Sequence, residues 1–437
     1  MIAVIADDFT GAAETGGIGL RYGLKVIIET EITHDHHQSD LLVIDTNTRS
    51  LNAREAAKII TQTTKELQKF KPEFIFKKID SVLRGNITEE LTAQMEVSGK
   101  KRAIIIPANP VFDRIVRDGI YYIKNVPLHK TRFSSDPEHR AKSSAVLEII
   151  GAGEKHFLIN LKSGDKLPKS GLIIGDASDL DDLQAWAMQN NQDTLLAGSS
   201  GFFNAILAGQ PSLHSTARPD SMPFGKNILF VLGSSLPKDS DLLKKTKDNG
   251  YLLSNMPEEI YHNSNCDPSH LENWAGEIVK GINDCHKVVI SVFHSPVNGN
   301  EALRNSAVAS ASVSPFDETA VKDHLVSPEH LGFLAKASDP GITLRIRENI
   351  GKLIRKVTEQ ADINELLIEG GSTAATVLKH LNIRKLSPIQ ELDTGVIRMK
   401  TDMYPKLCLT TKPGSYSWPE SVRFPAGRPP FKQHCGL

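Results

Sequence analysis

Short apolar runs rich in β-branched residues alternate with helix-forming segments along most of this chain. The predicted strands are residues 2–6, 26–29, 41–45, 74–79, 103–107, 172–176 and 194–197, followed in the second half by 228–232, 287–292 and 366–369. The clearest helix is residues 342–360, where apolar side chains recur at steps of three and four. Strands that alternate with helices form a mostly parallel sheet flanked by helices. The sequence therefore predicts an α/β fold.

The length of the chain suits two domains. It has 437 residues, of which 40% are apolar and 24% are charged. Residues 208–226 are polar, contain prolines and lack periodicity, so they are the best linker candidate. We therefore expect two α/β domains, residues 1–218 and 225–437, each with a mostly parallel sheet.

The charge balance argues against a broad surface for nucleic acid or anionic lipid, because the formal net charge is −1. Any anionic ligand must then be bound by local charges. The four cysteines form no C-x-x-C, so neither a structural zinc site nor a disulfide framework is expected. The apolar run at the N-terminus is too short for a signal peptide and lacks a basic flank, so we expect a cytoplasmic protein.

Two adjacent carboxylates follow the first predicted strand. Asp7 and Asp8 come directly after residues 2–6, and good helix formers begin at Gly11. In open parallel sheets, ligands bind beyond the carboxyl ends of the strands. Because like charges repel, such a pair indicates a nearby cation, a set of hydroxyl donors or a proton to be transferred. The alternative is that an aspartate only caps the helix.

Polar clusters also follow the third and fourth predicted strands. Residues 45–49 end in Arg49, whose planar fork suits a carboxylate; its alternative is a surface position at the start of the next helix. After the fourth strand come charges and a hydroxyl, namely Lys78, Asp80, Ser81 and Arg84. This mixture can bind an anionic polyol, and its alternative is a set of solvated ion pairs in a loop.

The second half carries a strand, a small-residue turn and a helix in succession. Residues 366–369 are the strand, residues 370–373 read Gly-Gly-Ser-Thr, and the helix continues to Leu381. Glycines let backbone N–H groups approach an anion and the helix N-terminus adds its positive dipole end, so the layout is typical of a phosphate-binding loop. The alternative is a turn with a threonine N-cap and no ligand. Residues 233–235 and 412–415 form similar turns.

Standard nucleotide motifs are absent. The sequence holds no G-x-x-x-x-G-K-[ST], which excludes a P-loop enzyme. Gly17, Gly19 and Gly23 miss the dinucleotide-binding spacing, and the two aspartates would repel a pyrophosphate. The histidine-rich residues 34–37 could bind a metal, but such a tract is more often an exposed loop, and no metal ligand is predicted.

Five segments of the chain resemble the four-carbon acid sugar kinase family. They read ADDFTGAAETG (residues 6–16), DTNTR (45–49), KKIDSVLRGN (77–86), SSDP (134–137) and EGGST (369–373). The resemblance spans nearly the whole chain, and the first and third segments are specific to the family. It implies a kinase that uses ATP and Mg²⁺ to phosphorylate the terminal hydroxyl of threonate, erythronate or 3-oxo-tetronate. The acid would bind the N-terminal domain and the nucleotide the C-terminal domain, with the active site in the cleft between them.

The resemblance also implies site residues. By this resemblance the sugar acid would be bound by Asp8, Arg49, Lys78, Ile79, Asp80 and Ser81, and the charge pattern of the sequence adds Asp7 and Arg84. ATP would be bound by Ser234, Gly370, Gly371, Ser372, Thr373 and Gly414. Asp8 and Asp80 are the candidate catalytic residues, while Asp7 is expected to cap the helix or to support the substrate contacts indirectly. One departure is Pro413, which removes a backbone donor from a loop that reads Lys-Ser-Gly in many relatives.

Two other classes of function stay open. A non-catalytic sugar-acid sensor would not need two separate sites, and an NAD-linked sugar-acid enzyme would need the missing dinucleotide motif. The sequence leaves undecided which acid and stereoisomer are used, and whether the protein is a homodimer.

Overall fold

The computed structural model describes residues 1–33, 39–136, 139–151, 157–213, 222–233, 250–262, 267–292, 340–414, 416–419 and 422. The strands of the first half are β1 (Ile2–Ala6), β2 (Val26–Glu29), β3 (Leu41–Asp45), β4 (Ile75–Lys78), β5 (Arg102–Ile106), β6 (Arg114–Arg117), β7 (Ile120–Ile123), β8 (Val126–Pro127), β9 (Leu158–Leu161), β10 (Gly171–Gly175) and β11 (Thr194–Gly198). Its helices are α1 (Phe9–Arg21), α2 (Ala53–Lys69), α3 (Ile87–Ser98), α4 (Val146–Ile150), α5 (Leu180–Ala187) and α6 (Ser200–Ala208).

The second half alternates strands and helices in the same way before ending in a strand hairpin and one more strand. Its strands are β12 (Ile228–Leu232), β13 (Leu252–Asn255), β14 (Lys287–Ser291), β15 (Glu365–Glu369), β16 (Lys385–Asp393), β17 (Val396–Thr401) and β18 (Cys408–Lys412). Its helices are α7 (Glu258–His262), α8 (Pro268–Cys285), α9 (Pro340–Gln360) and α10 (Gly371–His380). The predicted alternation and the α/β fold class are confirmed.

The described strands of the two halves form one continuous sheet. Its order is β13-β14-β12-β15-β18-β17-β16-β2-β3-β1-β4-β11-β5-β10-β9. Strand pairs within each half are parallel, except at the hairpin β16–β17 and its neighbours. The halves are joined where β16 pairs antiparallel with β2, through Lys385 beside Glu29 and Leu386 beside Ile28. The sheets predicted for the two halves therefore meet edge to edge.

The hairpin β16–β17 was not predicted from the sequence. β16 contains Pro388, and its pairing with β17 shifts register beside that residue. A proline within a run argues against a strand, because it cannot donate to the ladder. Here the shift in register accommodates it, so the strand exists despite the local signal.

Helix α1 is buried along most of its length, from Phe9 to Gly19. Its glycines serve close packing. A Cβ atom at Gly17 would lie 2.2 Å from Ile397 Cδ1 of β17, and one at Gly19 would lie 2.4 Å from Leu41 Cδ2 of β3. The glycines that miss the dinucleotide spacing thus let α1 pack between strands of both halves.

A separate antiparallel sheet of β6, β7 and β8 adjoins the first half. It brings Arg114 and the preceding Phe112 to the carboxyl edge of the main sheet, as their contacts with Ser81 and Tyr416 show. In the part of the chain that the structure describes, no helix combines the length and apolarity needed to cross a membrane.

Candidate active site

The carboxyl ends of β3, β1 and β4 meet at one edge of the sheet, because these strands are parallel neighbours. Ala6, at the end of β1, pairs with Asp45 of β3 on one side and with Lys78 of β4 on the other. The polar clusters that follow the three strands are thereby brought together. Helix α1 begins at the same edge, two residues after β1 ends.

Arg49 is the centre of this cluster. Its Nε and Nη2 atoms donate to the two carboxylate oxygens of Asp7 at 2.8 and 3.0 Å, and Nη1 donates to Asp8 Oδ2 at 2.6 Å. Asp80 Oδ1 lies 3.6 Å from Nη1. One guanidinium therefore compensates several carboxylates, which answers the repulsion implied by the adjacent aspartates. Burial opposes the ionisation of Asp7, but the Arg49 charge prevails and the pKa of Asp7 lies below its ordinary value.

Asp8 both caps α1 and pairs with Arg49. Its backbone is extended, and its Oδ1 accepts a hydrogen bond from the Gly11 N–H at 2.8 Å, while Oδ2 binds Arg49. The expectation that Asp7 could cap the helix is wrong, because Asp8 immediately precedes the first helical residue and Asp7 is engaged by Arg49. Asp8 is therefore both the N-cap of α1 and a member of the charged cluster around Arg49.

Both carboxylate oxygens of Asp80 accept hydrogen bonds from Arg84. The Arg84 side chain donates to both Asp80 oxygens at 2.8 and 2.9 Å, and the backbone N–H groups of Val82 and Arg84 also donate to Oδ2. Arg84 Nη1 reaches Asp136 at 3.0 Å as well. Burial opposes ionisation of Asp80, but Arg84 and then Arg49 outweigh it and hold its pKa well below the usual range.

The other predicted site residues at the end of β4, namely Lys78, Ile79 and Ser81, differ in which of their atoms could contact a ligand. Lys78 is buried, and its Nζ donates to the Ile79 carbonyl at 2.8 Å and lies 4.0 Å from Glu14 Oε2. The Ile79 side chain packs in an apolar cluster, so only its backbone is available to the site. Ser81 Oγ accepts from Arg114 Nη1. Sequence reasoning missed Glu14, although it lies within the segment of residues 6–16, and it missed Arg114, which no quoted segment contains. Packing brings both side chains to the site.

Asp45 is a buried carboxyl to which the sequence assigned no separate role. It lies at the end of β3, and its Oδ1 accepts from the Asn47 N–H at 3.0 Å. Burial, followed by the negative charge of Asp8, raises the pKa of Asp45 to about 8. At neutral pH Asp45 is therefore mostly protonated, and the cluster carries less negative charge than its composition suggests.

The glycine turn of the second half lies directly against this cluster. A Cβ atom at Gly371 would lie 2.1 Å from Thr10 Oγ1 and 3.1 Å from Asp8 Oδ2. Gly370 has a positive φ of 95°, and α10 begins after it with no side-chain cap, so the threonine N-cap alternative is wrong. The first N–H groups of α10 therefore have no intrahelical acceptor.

The described residues of the other predicted nucleotide turns, Gly233 and residues 412–414, lie close to the glycine turn. The Gly370 N–H donates to the Lys412 carbonyl at 3.1 Å, so the turn containing Gly414 is tied to it. A Cβ atom at Gly233 would lie 2.5 Å from Thr373 Oγ1, which places the end of β12 there as well. Ser234, the next residue, lies outside the described residues. Among the residues with described positions, no group of three or more metal-ligating side chains could hold an ion, and His34–His37 fall outside them.

Comparison with known proteins shows the family. A family model described as "Sugar-binding N-terminal domain" matches residues 2–206, and one described as "Nucleotide-binding C-terminal domain" matches residues 318–416. A D-threonate kinase of Salmonella typhimurium is 32% identical over 46% of this chain and 52% of that protein. A D-erythronate kinase of Heliobacterium modesticaldum is 26% identical over 66% of this chain and 70% of that protein. The chain belongs to the four-carbon acid sugar kinase family.

Members of the family differ in the substrate that they are named for. A 3-oxo-tetronate kinase of Brucella melitensis is 29% identical over 37% of this chain and 38% of its own length. The match spans about half the length of the Salmonella D-threonate kinase, at 52%. Among solved structures, a Salmonella typhimurium protein has a TM-score of 0.70 at 17% identity, over 95% of this chain and 96% of that one. That similarity shows that the two proteins share a fold.

Proposed function

We propose that this chain is an ATP-dependent kinase that phosphorylates the terminal hydroxyl of a four-carbon sugar acid. Residues 1–218 would bind the acid and residues 225–437 the nucleotide. The closeness of Gly371 to Thr10 and Asp8, which a Cβ at residue 371 would meet, carries this proposal, because it brings the predicted phosphate loop beside the predicted acid site. Phosphoryl transfer depends mainly on placing a hydroxyl in line with the γ-phosphate and excluding water, and two abutting sites meet that need.

The glycine turn has the donors that a phosphate needs. The uncapped N-terminus of α10 offers backbone N–H groups and the positive end of the helix dipole, and glycine at residue 371 avoids the clash with Thr10 Oγ1 that a Cβ would make there. We assign ATP binding to this turn, residues 370–373, together with Gly414 and Ser234. ATP supplies the transferred phosphoryl group. Mg²⁺ would arrive with its phosphates, since the described part of the protein offers no ready cluster of ligands.

The charges of the first half suit an anionic polyol. Arg49 is our candidate for the acid's carboxylate, and Lys78 and Arg84 are further cations at the same edge. Three of the five N–H groups of Arg49 already bind Asp7 and Asp8. The substrate carboxylate must therefore use the remaining N–H groups or displace an aspartate.

Of the two candidate catalytic residues, we assign proton acceptance to Asp8 and positioning to Asp80. Asp8 Oδ2 is the carboxylate oxygen beside Gly371, where donor and acceptor sites meet. Asp80 has both oxygens bound by Arg84 and a pKa held well below its usual range, which disfavours it as a base. Asp80 instead orients Arg84, and it lies near Arg49.

The test is an ADP-release assay on a panel of four-carbon acids: both enantiomers of threonate and erythronate, and 3-oxo-tetronate, with three-carbon glycerate as the length control. We expect Mg²⁺-dependent ADP release with at least one four-carbon acid, in equal amount to the phosphorylated acid measured by mass spectrometry. Acid binding in calorimetry without ADP release would favour the sensor, and acid-dependent reduction of NAD⁺ would favour the NAD-linked enzyme. Either result contradicts the kinase. The cytoplasmic location is likewise still a prediction.

A further inference from the structure

Tyr416 connects the two halves of the molecule at a point that the proposed chemistry does not use. It follows the turn of residues 412–414, and its hydroxyl donates to Glu14 Oε1 at 3.1 Å. Its ring stacks on Phe112, with centroids 4.4 Å apart and planes inclined by 28°. At Gly395, in the turn between β16 and β17, a Cβ atom would lie 2.6 Å from the same ring. Tyr416 is therefore seated between elements of both halves.

Two residues that contact Tyr416 also reach side chains predicted to bind the acid. Glu14 Oε2 lies 4.0 Å from Lys78 Nζ. The Arg114 guanidinium lies 6.0 Å from the centre of the Tyr416 ring, and its Nη1 donates to Ser81 Oγ. Burial, followed by the charge of Glu14, raises the pKa of the Tyr416 hydroxyl above its ordinary value, which favours the protonated form that donates to Glu14.

We propose that Tyr416 is a positioning residue that couples nucleotide binding to sugar-acid binding. The inference rests on the proposed function, in which the turn of residues 412–414 contacts ATP. Nucleotide bound there holds the adjoining Tyr416 against Glu14 and Phe112, and these contacts hold Lys78 and Ser81 in place for the acid. Because coupling between two binding sites is reciprocal, the acid must raise the affinity for nucleotide by the same factor.

The test measures the dissociation constant of the acid by calorimetry, with and without a saturating non-hydrolysable ATP analogue, using the acid that gives the fastest ADP release. In the wild-type chain we expect the analogue to tighten acid binding by roughly 5–150-fold, the usual range of coupling. In Tyr416→Ala the ratio should fall to about one. Tyr416→Phe keeps the stack and loses the hydroxyl, so an intermediate ratio is expected. Phe112→Ala should also lower the ratio, and adding it to Tyr416→Ala should cause no further loss.

Tyr122→Ala is the matched control. The Tyr122 ring also lies beside an arginine, Arg117, at 5.1 Å, but on the small antiparallel sheet. This variant should keep the wild-type ratio. A wild-type ratio in Tyr416→Ala, or an equal loss in Tyr122→Ala, would overturn the coupling role while ADP release continued. If no acid supports ADP release in the wild-type chain, the proposed function fails, and the coupling role fails with it.

Discussion

The two halves of the candidate site use different chemical groups, charged side chains in one and backbone in the other. At the ends of β1, β3 and β4 the site consists of charged side chains that neutralise one another, with Arg49 joined to Asp7 and Asp8 and with Arg84 joined to Asp80. At the start of α10 it consists of backbone, with a glycine at each of the first two positions of the turn and no side-chain cap. The first half should therefore respond to changes of side-chain charge, and the second to any side chain added at its glycines, through volume or through charge.

This difference reflects what each ligand presents. A sugar acid offers one carboxylate and several hydroxyls, which side-chain forks and carboxylate acceptors can distinguish. A polyphosphate offers many equivalent oxygens, which backbone N–H groups at a helix end bind without a dedicated side chain. Two kinds of substitution test this difference. In the first half, a side chain is replaced by one of different charge or hydrogen-bonding geometry, and in the second half a side chain is added at a glycine.

The largest expected effect is that of Asp8→Asn. Asparagine still caps α1 and keeps the shape of the side chain, so the fold should persist while the charge is lost. We expect kcat to fall by about 10²–10⁴, the usual contribution of acid–base catalysis, with a smaller change in KM. Steady-state kinetics of ADP release give both constants. Full activity in Asp8→Asn together with an inactive Asp80→Asn would move the catalytic role to the end of β4.

Gly371→Asp tests the second half. The new carboxylate would lie against Thr10 and near Asp8, and it would face the phosphates with like charge. At an effective dielectric constant of 20 this repulsion is of order 4 kcal/mol at 4 Å, so we expect ATP affinity to fall by roughly 10²–10³-fold. Calorimetry with ATP measures the change.

Two further variants accompany Gly371→Asp, one as a control and one as a second test of the proposed ATP turns. Gly276→Asp places the same substitution in α8, and it should leave ATP affinity unchanged. Apart from its chain neighbours and the adjacent backbone of the helix, no described residue has an atom within 4 Å of the added Cβ. Gly414→Asp adds a charge to the other proposed ATP turn, where the Cβ position is also open, and it should weaken ATP without a steric clash. Unchanged ATP affinity in both Gly371→Asp and Gly414→Asp would remove the nucleotide from these turns.

Arg49→Lys tests the first half with the charge retained. Lysine cannot hold Asp7 by two parallel bonds, nor a substrate carboxylate by a fork. We expect the KM for the acid to rise at a cost of about 1.5–3 kcal/mol, the range for hydrogen bonds to charged groups. Arg54→Lys, at an exposed position of α2, is the control and should leave KM unchanged. A wild-type KM for every four-carbon acid in Arg49→Lys would refute the assignment.

The smallest expected effect is the pH dependence from Asp45. Its pKa is raised from 3.8 to about 8 in the folded protein, so its contribution to stability is complete below pH 4 and is lost as the pH rises towards 8. Within that window the free energy of unfolding should fall by up to about 1.4 kcal/mol per pH unit from this group. Urea unfolding at pH 6 and pH 7 should show that the free energy of unfolding falls less between these pH values in Asp45→Asn than in the wild-type chain. An equal slope in both proteins would contradict the burial of a neutral Asp45.

Much of the fold follows from local sequence. The run of residues 2–6 predicted β1 with both of its ends correct, because a strand buried on both faces needs a continuous apolar run. The same holds for β3 and β12. The family resemblance assigned the clusters after β1, β3 and β4 to one acid site. The structure brings these clusters together, because neighbouring parallel strands have their carboxyl ends on one edge of the sheet.

The sequence by itself determined the residue types of the site and the strand ends that carry them, because hydrophobic periodicity and turn chemistry are local. Only the tertiary structure decided that Arg49 binds both Asp7 and Asp8, and that Gly371 lies beside Thr10. The sequence missed Tyr416 as a link between the halves, since its contact with Glu14 spans 402 positions. Such pairings depend on strand order and on the β2–β16 junction, which bring distant residues together through packing that no short segment encodes.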